Sequence, residues 1–151
     1  MQQVKSLAVE WMVGKDRMPV LGILDTFHSS IRGAADLVKT LSQRNSFGLV
    51  AKINKDVVGC AIYELHKKSV QVVAFGIRPD MRRRGIGSLL MAALKAKLSA
   101  EKRWMLDFVV HDSELDGHLF LRSQGFVAVE VLREMYEDGD AYRFRYRCLD
   151  A

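Results

Sequence analysis

The fourteen residues 75–88 constrain this chain more than any other stretch. They begin as an apolar strand, continue through a basic turn containing Arg82, Arg83 and Arg84, and end at Gly85 and Gly87 before an apolar, helix-forming run. The start of a helix carries unpaired backbone N–H groups and partial positive charge. Because glycine lets a ligand approach the backbone closely, we expect a strand–turn–helix unit that binds a pyrophosphate.

Two common phosphate-binding motifs do not fit this stretch. A Walker loop requires G-x-x-x-x-G-K-[ST], which the sequence does not contain. A dinucleotide-binding fingerprint requires a third glycine, where this chain has Leu90. The pattern that is left is R-x-x-G-x-G, formed by Arg82, Gly85 and Gly87. An ordinary strand–helix turn with a solvated arginine cluster is the alternative explanation.

The composition predicts one globular domain over residues 1–151. Hydrophobic residues make up 49% and charged residues 27%, which is typical of a folded chain long enough to bury a core. Cys60 and Cys148 lie in apolar, strand-like runs, which favours reduced core thiols and a cytoplasmic location. No apolar signal core or membrane-spanning stretch is expected. The net charge of +5 suggests an anionic partner.

The polar and aromatic residues outside the motif predict less. The four histidines and two cysteines never take the spacing of zinc ligands, so no metal site is expected. Tyr142, Phe144 and Tyr146 alternate with arginines, which is typical of a strand with one core face and one solvated face. An RNA-binding surface is a weaker interpretation of the same alternation.

Periodicity and turn residues predict the element order β-α-α-β-β-β-α-β-α-β-β. The strands are expected at Val4–Val13, Gly48–Ile53, Val57–His66, Val70–Ile77, Trp104–His111, Phe126–Leu132 and Ala141–Leu149. The helices are expected from Asp16 through Phe27, over Ser30–Arg44 with Ile31, Leu37, Val38 and Leu41 on one face, from Gly85 to about Ala100, and over Leu115–Ser123. Short polar turns favour an antiparallel meander of the second to fourth strands.

This order, with R-x-x-G-x-G between the fourth strand and the third helix, resembles the GCN5-related N-acetyltransferase (GNAT) superfamily. The resemblance implies an α+β fold with a mixed, mostly antiparallel sheet of about seven strands and about four flanking helices. It implies acetyl-CoA as the cosubstrate, held in a cleft between splayed fourth and fifth strands, and no metal. The cofactor-binding residues that it implies are Phe75, Gly76 and Ile77 for the pantetheine arm, and Arg82, Arg83, Arg84, Gly85, Ile86, Gly87 and Ser88 for the pyrophosphate.

Four further strings, 44–51, 63–67, 122–126 and 132–142, are similar to the RimI-type branch of this superfamily. Members of that branch acetylate the N-terminal α-amine of a protein, in the named case a ribosomal protein. The resemblance implies that Tyr136, in the loop between the last two strands, contacts the substrate. A small amine as acceptor and a CoA-binding module with weakened catalysis are the alternatives. Neither DNA nor a membrane is an expected partner.

The chain departs from the family where the chemistry should occur. Alignment on Gly125 places Leu121 where the family has its general-acid tyrosine and Val109 where it has a glutamate base. Glu114 falls where the family has an asparagine that contacts CoA. Glu114 is thus carried over as a cofactor-binding position, although its charge departs from the pattern.

Replacement catalytic residues are therefore sought near the fifth strand. His111 and Asp107 flank Val109 on the same strand face, and the titration range of histidine suits a base. Tyr63, Glu64 and a water held by backbone carbonyls are further candidates. A weak base favours an α-amine as acceptor, because an amine of pKa ~8 is about a tenth neutral at pH 7, whereas lysine is neutral only a few times in ten thousand.

Overall fold

The computed structural model describes residues 6–26 and 33–148. Its strands are β1 (Leu7–Trp11), β2 (Ser46–Ile53), β3 (Asp56–Leu65), β4 (Ser69–Ile77), β5 (Met105–His111), β6 (Val127–Tyr136) and β7 (Gly139–Arg147). The α-helices are α1 (Arg17–Leu24), α2 (Ala34–Leu41), α3 (Ile86–Lys95) and α4 (Leu115–Ser123), with 3-10 turns at Gly14–Asp16 and Pro79–Met81. The predicted order of strands and α-helices is confirmed.

All these strands form one sheet in the order β1-β2-β3-β4-β5-β7-β6. Neighbouring strands run antiparallel except β4 and β5, which are parallel and are joined through α3. The predicted meander of β2, β3 and β4 is therefore confirmed, and the sheet is mixed and mostly antiparallel as expected.

The helices cover both faces of the sheet, and the strand alternation decides which residues each face receives. On one face α3 packs mainly against β2 and β3, and Leu90 of α3, Leu121 of α4 and Phe144 of β7 belong to one core cluster. On the other face α1 and α2 pack against the meander, with Leu24 and Leu37 in a second cluster. The predicted aromatic core face of β7 is confirmed, since Phe144 is buried and Tyr142 and Tyr146 pack against the first cluster.

Several predicted boundaries were wrong. Helix α2 is shorter than expected, and Val38 is exposed rather than on its buried face. Helix α3 ends at Lys95 because three-residue turns follow, from Lys97 N to Leu94 O and from Leu98 N to Lys95 O. Strand β6 extends to Tyr136 through two bulges. The predicted helical residues 27 and 30–32 lie outside the described residues.

The cysteines differ in their burial. Both are free, and Cys60 is fully buried in β3 as predicted. Cys148 is only half-buried, because it follows the end of β7 and does not lie within it. In the parts of the chain that the structure describes, no helix is long and apolar enough to cross a membrane.

Candidate active site

A cleft opens where β4 and β5 separate. The two strands pair from Ser69 and Met105 to Val72 and Phe108, and within the described strands their pairing ends there. At the same point β4 contains a bulge, because Val72 pairs with Tyr63 and Ala74 with Ile62, leaving Val73 as an extra residue. The strands then diverge around a cavity of about 560 Å³, a volume within the range of small-molecule sites.

The backbone of β4 forms one wall of this cleft. Phe75, Gly76 and Ile77 line it, and their strand is paired with β3 on the opposite edge only. The N–H and C=O groups that point away from β3 therefore face the cavity instead of a partner strand. An extended ligand with amide groups can pair with such an edge in the manner of an added strand.

The start of α3 forms the basic end of the cleft. Gly85 is its N-cap in the left-handed conformation, with φ 80°, and the first helical bond runs from Leu89 N to Gly85 O at 3.0 Å. The amides of residues 86–88 therefore precede the helical bonding pattern and are open to a ligand. Arg83 also has a positive φ, 63°, which costs a non-glycine residue about 1–2 kcal/mol. Such strain is typical of a functional turn, and the open amides that follow this turn suit an anion.

Most of the residues predicted to bind the cofactor are brought together here. Arg82, Arg83, Gly85, Ile86, Gly87, Ser88 and Glu114 line the cleft together with the three β4 residues. Arg84 is not among the lining residues; it is exposed, and its charge helps to lower the pKa of Asp80, which is depressed mainly by the hydrogen bond from Arg78. A glycine-rich helix start, nearby arginines and an open strand edge together suit a pyrophosphate joined to a pantetheine chain.

Phe120 of α4 is a part of the site that the sequence did not indicate. Its ring stacks on Phe75 with centroids 5.9 Å apart, and a Cβ added at Gly87 would lie 3.2 Å from it. Gly87 is thus required for the close approach of α3 to α4. The Gln124 side chain also donates to the Ser88 hydroxyl at 3.2 Å, which ties the end of α4 to the start of α3.

At the opposite end of the cleft, His111, Glu114 and Tyr136 come together. His111 ends β5, Glu114 is the N-cap of α4, and Tyr136 ends β6. The Tyr136 and His111 rings lie 4.9 Å apart between centroids. The pKa of Tyr136 is raised by burial and, secondly, by the negative charge of Glu114. Leu24 at the end of α1 and Thr26 after it also line the cleft, and the sequence assigned neither of them to the site.

The hydrogen bonds of His111 fix its tautomer. The Ser113 backbone N–H, which can only donate, points at Nδ1 from 3.0 Å, and the Ser113 hydroxyl lies 2.7 Å from the same nitrogen. Nδ1 must therefore accept, although an Asp112 oxygen lies 3.1 Å away, and the proton resides on Nε2. Nε2 donates to Asp138 at 2.9 Å. The buried ring thus joins the segment after β5, through Ser113 at Nδ1, to the β6–β7 turn, through Asp138 at Nε2.

Gly139 shows how closely this turn packs on β5. A Cβ added there would lie 2.9 Å from an Asp112 oxygen and 3.1 Å from the His111 ring. The turn is therefore held against His111 by close packing as well as by the Asp138 hydrogen bond. Because the same hairpin carries Tyr136, this contact positions Tyr136 on the wall of the cleft.

Asp107 lies apart from the cleft lining. Its carboxylate, 2% exposed, receives two hydrogen bonds from Arg145 of β7, from Nε at 2.8 Å and from Nη2 at 2.9 Å. Arg143 Nη1 is 3.8 Å away. The pKa of the Arg145 guanidinium is raised, mainly by its hydrogen bond to Asp107. Asp107 therefore forms a cross-strand ion pair within the sheet.

The other candidate bases on β3 also lie outside the lining. Tyr63 is 1% exposed within the first core cluster, and burial raises its pKa to about 12. The Glu64 carboxylate lies 3.0 Å from His66 Nε2. In contrast, Val109 and Leu121 do line the cleft, so its walls are apolar at the two positions where the resemblance placed a base and an acid. Among the described residues no group of three His, Cys, Asp or Glu side chains could hold a metal ion.

Comparisons with known proteins agree with this geometry. Residues 16–126 match the sequence model of the acetyltransferase (GNAT) family. No curated protein sequence matches the chain significantly. Among solved structures, Ard1 from Thermoplasma volcanium has a TM-score of 0.84 at 20% identity, covering 93% of this chain and 97% of its own.

Two more solved structures share the fold. The ribosomal-protein-S18-alanine N-acetyltransferase from Escherichia coli has a TM-score of 0.80 at 18% identity, covering 95% of this chain and 94% of its own. Arabidopsis thaliana Naa50, in complex with the bisubstrate analogue CoA-Ac-MVNAL, has a TM-score of 0.75 at 20% identity, covering 93% and 98%. A strand-splayed α+β fold with a basic helix start thus defines an acyl-CoA-dependent transferase. This chain belongs to the acetyltransferase (GNAT) family, and it is an N-acetyltransferase that uses acetyl-CoA.

Proposed function

We propose that this enzyme transfers the acetyl group to the N-terminal α-amine of a protein, with a ribosomal protein as one candidate acceptor. We call the end of the cleft where His111, Glu114 and Tyr136 come together the acceptor end. The observation that carries the proposal is that Val109 and Leu121 make the lining of the cleft apolar where the family has a base and an acid. Because a base is missing at these two positions, an acceptor whose amine gives up its proton easily is favoured. An α-amine of pKa ~8 is neutral about two hundred times more often at neutral pH than a lysine of pKa ~10.4.

The hairpin at the acceptor end supports a peptide as the acceptor. Tyr136 lines the cleft from the end of β6, and the His111–Asp138 hydrogen bond holds its hairpin against β5. A tyrosine presented in this way offers both an apolar ring and a hydroxyl to a peptide. The structurally similar Escherichia coli enzyme is described as acting on an alanine of ribosomal protein S18, and Naa50 was solved with a CoA–peptide analogue.

The roles of the remaining residues follow from their positions. The amides of residues 86–88 with Arg82 and Arg83 would bind the pyrophosphate, while Arg84 would contribute longer-range charge. The open edge of β4 at Phe75, Gly76 and Ile77 would align the pantetheine arm. Acetyl-CoA then supplies the thioester, whose carbonyl carbon the neutral amine attacks. The apolar Val109 and Leu121 side chains exclude water from that point.

A matched set of acceptors tests the proposal. The first peptide has a free N-terminal alanine and no lysine, the second has the same sequence with a blocked N-terminus and one internal lysine, and a polyamine is the third acceptor. Release of CoA thiol should be at least about tenfold faster with the first than with either of the others. The Tyr136→Phe variant should raise KM for the first peptide while leaving acetyl-CoA affinity unchanged.

Two outcomes would favour the other candidate functions. Preference for the polyamine over the first peptide would identify a small-amine acetyltransferase and would overturn the proposal. Tight acetyl-CoA binding by calorimetry without turnover of any amine would identify a CoA-binding module, which the apolar residues Val109 and Leu121 would then explain.

A further inference from the structure

The acceptor end of the cleft must receive an amine that is mostly protonated at neutral pH. An ammonium group entering the cleft needs a carboxylate or several acceptors to replace its water shell. Apart from Ser88 at the start of α3, the lining side chains with an oxygen or nitrogen that can accept a hydrogen bond are Thr26, His111, Glu114, Asp116 and Tyr136. Of these, only the two acidic residues carry negative charge at neutral pH. The geometry of each group decides which one suits an ammonium.

His111 is poorly arranged to take a proton from the cleft. The lone pair of Nδ1 is directed at the Ser113 backbone N–H and hydroxyl, and Nε2 already carries a proton that it donates to Asp138. To act as a base, the ring would have to give up its bond to the Ser113 amide. Asp107 is equally committed, since both of its oxygens accept from Arg145.

Glu114 is placed differently. Its backbone N–H donates to His111 O at 3.0 Å, so the residue is fixed at the point where β5 turns into α4. Glu114 is half-buried in the cleft lining. Asp116, the second residue of α4, also lines the cleft but is exposed. His111, to which Glu114 is bonded, lies against the Tyr136 ring with centroids 4.9 Å apart, so Glu114 and Tyr136 meet at the same end of the cleft. A carboxylate there repels an anionic cofactor but attracts an ammonium.

We propose that Glu114 is the group that binds the acceptor as its ammonium form and takes its proton, with Tyr136 at the same end of the cleft. This role rests on the proposed function only in that the acceptor is an amine. It differs from the cofactor contact that the alignment implies for this position, and it gives the chain a proton acceptor at the N-cap of α4 in place of the one missing at Val109.

The Glu114 carboxylate takes one proton from R–NH₃⁺, giving a neutral amine and a carboxylic acid. The nitrogen lone pair forms the N–C bond to the thioester carbonyl carbon, the C–S bond breaks, and the sulfur leaves with the bonding electrons. The nitrogen loses a second proton as the amide forms, and the thiolate takes up one proton. Glu114 then returns its proton to water, so one proton is released per turnover.

The pH dependence of Glu114→Gln tests this role. The wild type should bind the ammonium directly, so kcat/KM for the alanine peptide should change less than about threefold between pH 8 and pH 6. The variant should depend on the neutral amine, whose fraction falls about tenfold per pH unit below a pKa of ~8. That fraction falls about fiftyfold from pH 8 to pH 6, so the ratio of wild-type to variant kcat/KM should grow at least about fifteenfold over that interval. Glu114→Asp should restore part of the low-pH activity.

Controls separate this role from the alternatives. Glu101→Gln, an exposed residue after α3, makes the same chemical change away from the cleft and should leave the profile unaltered. The Kd of Glu114→Gln for acetyl-CoA should stay within about threefold of wild type, which also shows that the variant is folded. Loss of acetyl-CoA binding would make Glu114 a cofactor contact and would overturn the inference. An unchanged pH profile, or a profile shifted by Asp116→Asn instead, would overturn it as well.

The proposed function can fail separately from this inference. If the wild type acetylates a small amine and no peptide, the proposed function is wrong, and the same variants are then assayed with that amine over a pH range below its own pKa. A low-pH defect confined to Glu114→Gln would still support the inference. A wild type that binds acetyl-CoA and acetylates no amine at all would overturn both.

Discussion

Replacing Asp107 by asparagine should destabilise the protein without changing the pH dependence of catalysis. The Asp107 carboxylate is 2% exposed and accepts two hydrogen bonds from Arg145. Asparagine keeps one acceptor oxygen but turns an NH₂ group towards the guanidinium, so one of the two bonds becomes a contact between donors. The substitution therefore removes the charge and half of the bidentate geometry.

The size of the effect follows from the burial of the two partners. Removing one partner of a buried ion pair costs about 3–5 kcal/mol. The Arg145 side chain is 29% exposed and can rehydrate, so we expect about 2–3 kcal/mol for Asp107→Asn. At about 2–4 °C per kcal/mol for a chain of this size, the melting temperature should fall by about 4 to 12 °C.

Arg145→Gln should lower the free energy of unfolding more than Asp107→Asn does, because it leaves a buried negative charge without its bidentate partner. The Arg143 guanidinium compensates little, since its Nη1 lies 3.8 Å from the carboxylate. We expect about 3–5 kcal/mol for this variant. The double variant should cost clearly less than the sum of the two single losses, since the charges that each single change leaves unpaired are then both absent. Urea unfolding followed by tryptophan fluorescence measures all three values.

Measurements of kcat/KM decide whether Asp107 takes part in catalysis. Below the melting transition, Asp107→Asn should retain kcat/KM within about threefold of wild type, with the same pH profile. Full stability combined with a large loss of activity and a shifted profile would refute the assignment of Asp107 to the sheet, and would restore it as a candidate base.

Three further predictions concern the helix start, the buried thiol and the hairpin. Gly85→Glu should weaken acetyl-CoA binding by at least about a hundredfold, because a carboxylate would face the pyrophosphate. Gly14→Glu, which also places its side chain in open space, should leave the affinity unchanged. Equal acetyl-CoA affinities of Gly85→Glu and the wild type by calorimetry would contradict the pyrophosphate assignment. Burial raises the pKa of the Cys60 thiol to about 12, so Ellman's reagent at pH 8 should titrate Cys148 alone in the native protein and both thiols in urea. Since an unfolded thiol ionises near pH 8.5, the stability that Cys60 contributes should be intact below that pH and decline above it. His111→Ala should lower the hydrogen-exchange protection of the β6–β7 turn and raise the peptide KM, and unchanged protection would show that the turn does not depend on His111.

Local patterns were sufficient to predict most of the fold. The polar turns around Asn54 and Lys67 separated three strands correctly, and the apolar spacing after Gly87 placed α3 on the sheet. Alternation in β7 separated the core side of Phe144 from the charged side of Arg145. These features depend on neighbours a few residues away in the chain, which is the range over which periodicity reports burial.

The ends of elements were predicted less well, because they depend on contacts that the local sequence does not contain. Strand β6 passes through two bulges before Tyr136, and a left-handed Glu134 lies within the second of them. An alternating pattern interrupted by bulges changes face partway, so the predicted strand ended too early.

The sequence by itself determined that the chain has a basic, glycine-containing helix start after a strand, and that Val109 and Leu121 are apolar where a base and an acid were expected. Only the tertiary structure decided which polar residues face the cleft. Asp107 and His111 share a strand face, yet register pairs the first with Arg145 and the packed hairpin joins the second to Asp138. These partners are 38 and 27 residues away in the chain, so no local pattern could assign them. The β5–β7 register and the packing of the β6–β7 turn bring such distant groups together, and they thereby decide which side chains can reach a substrate.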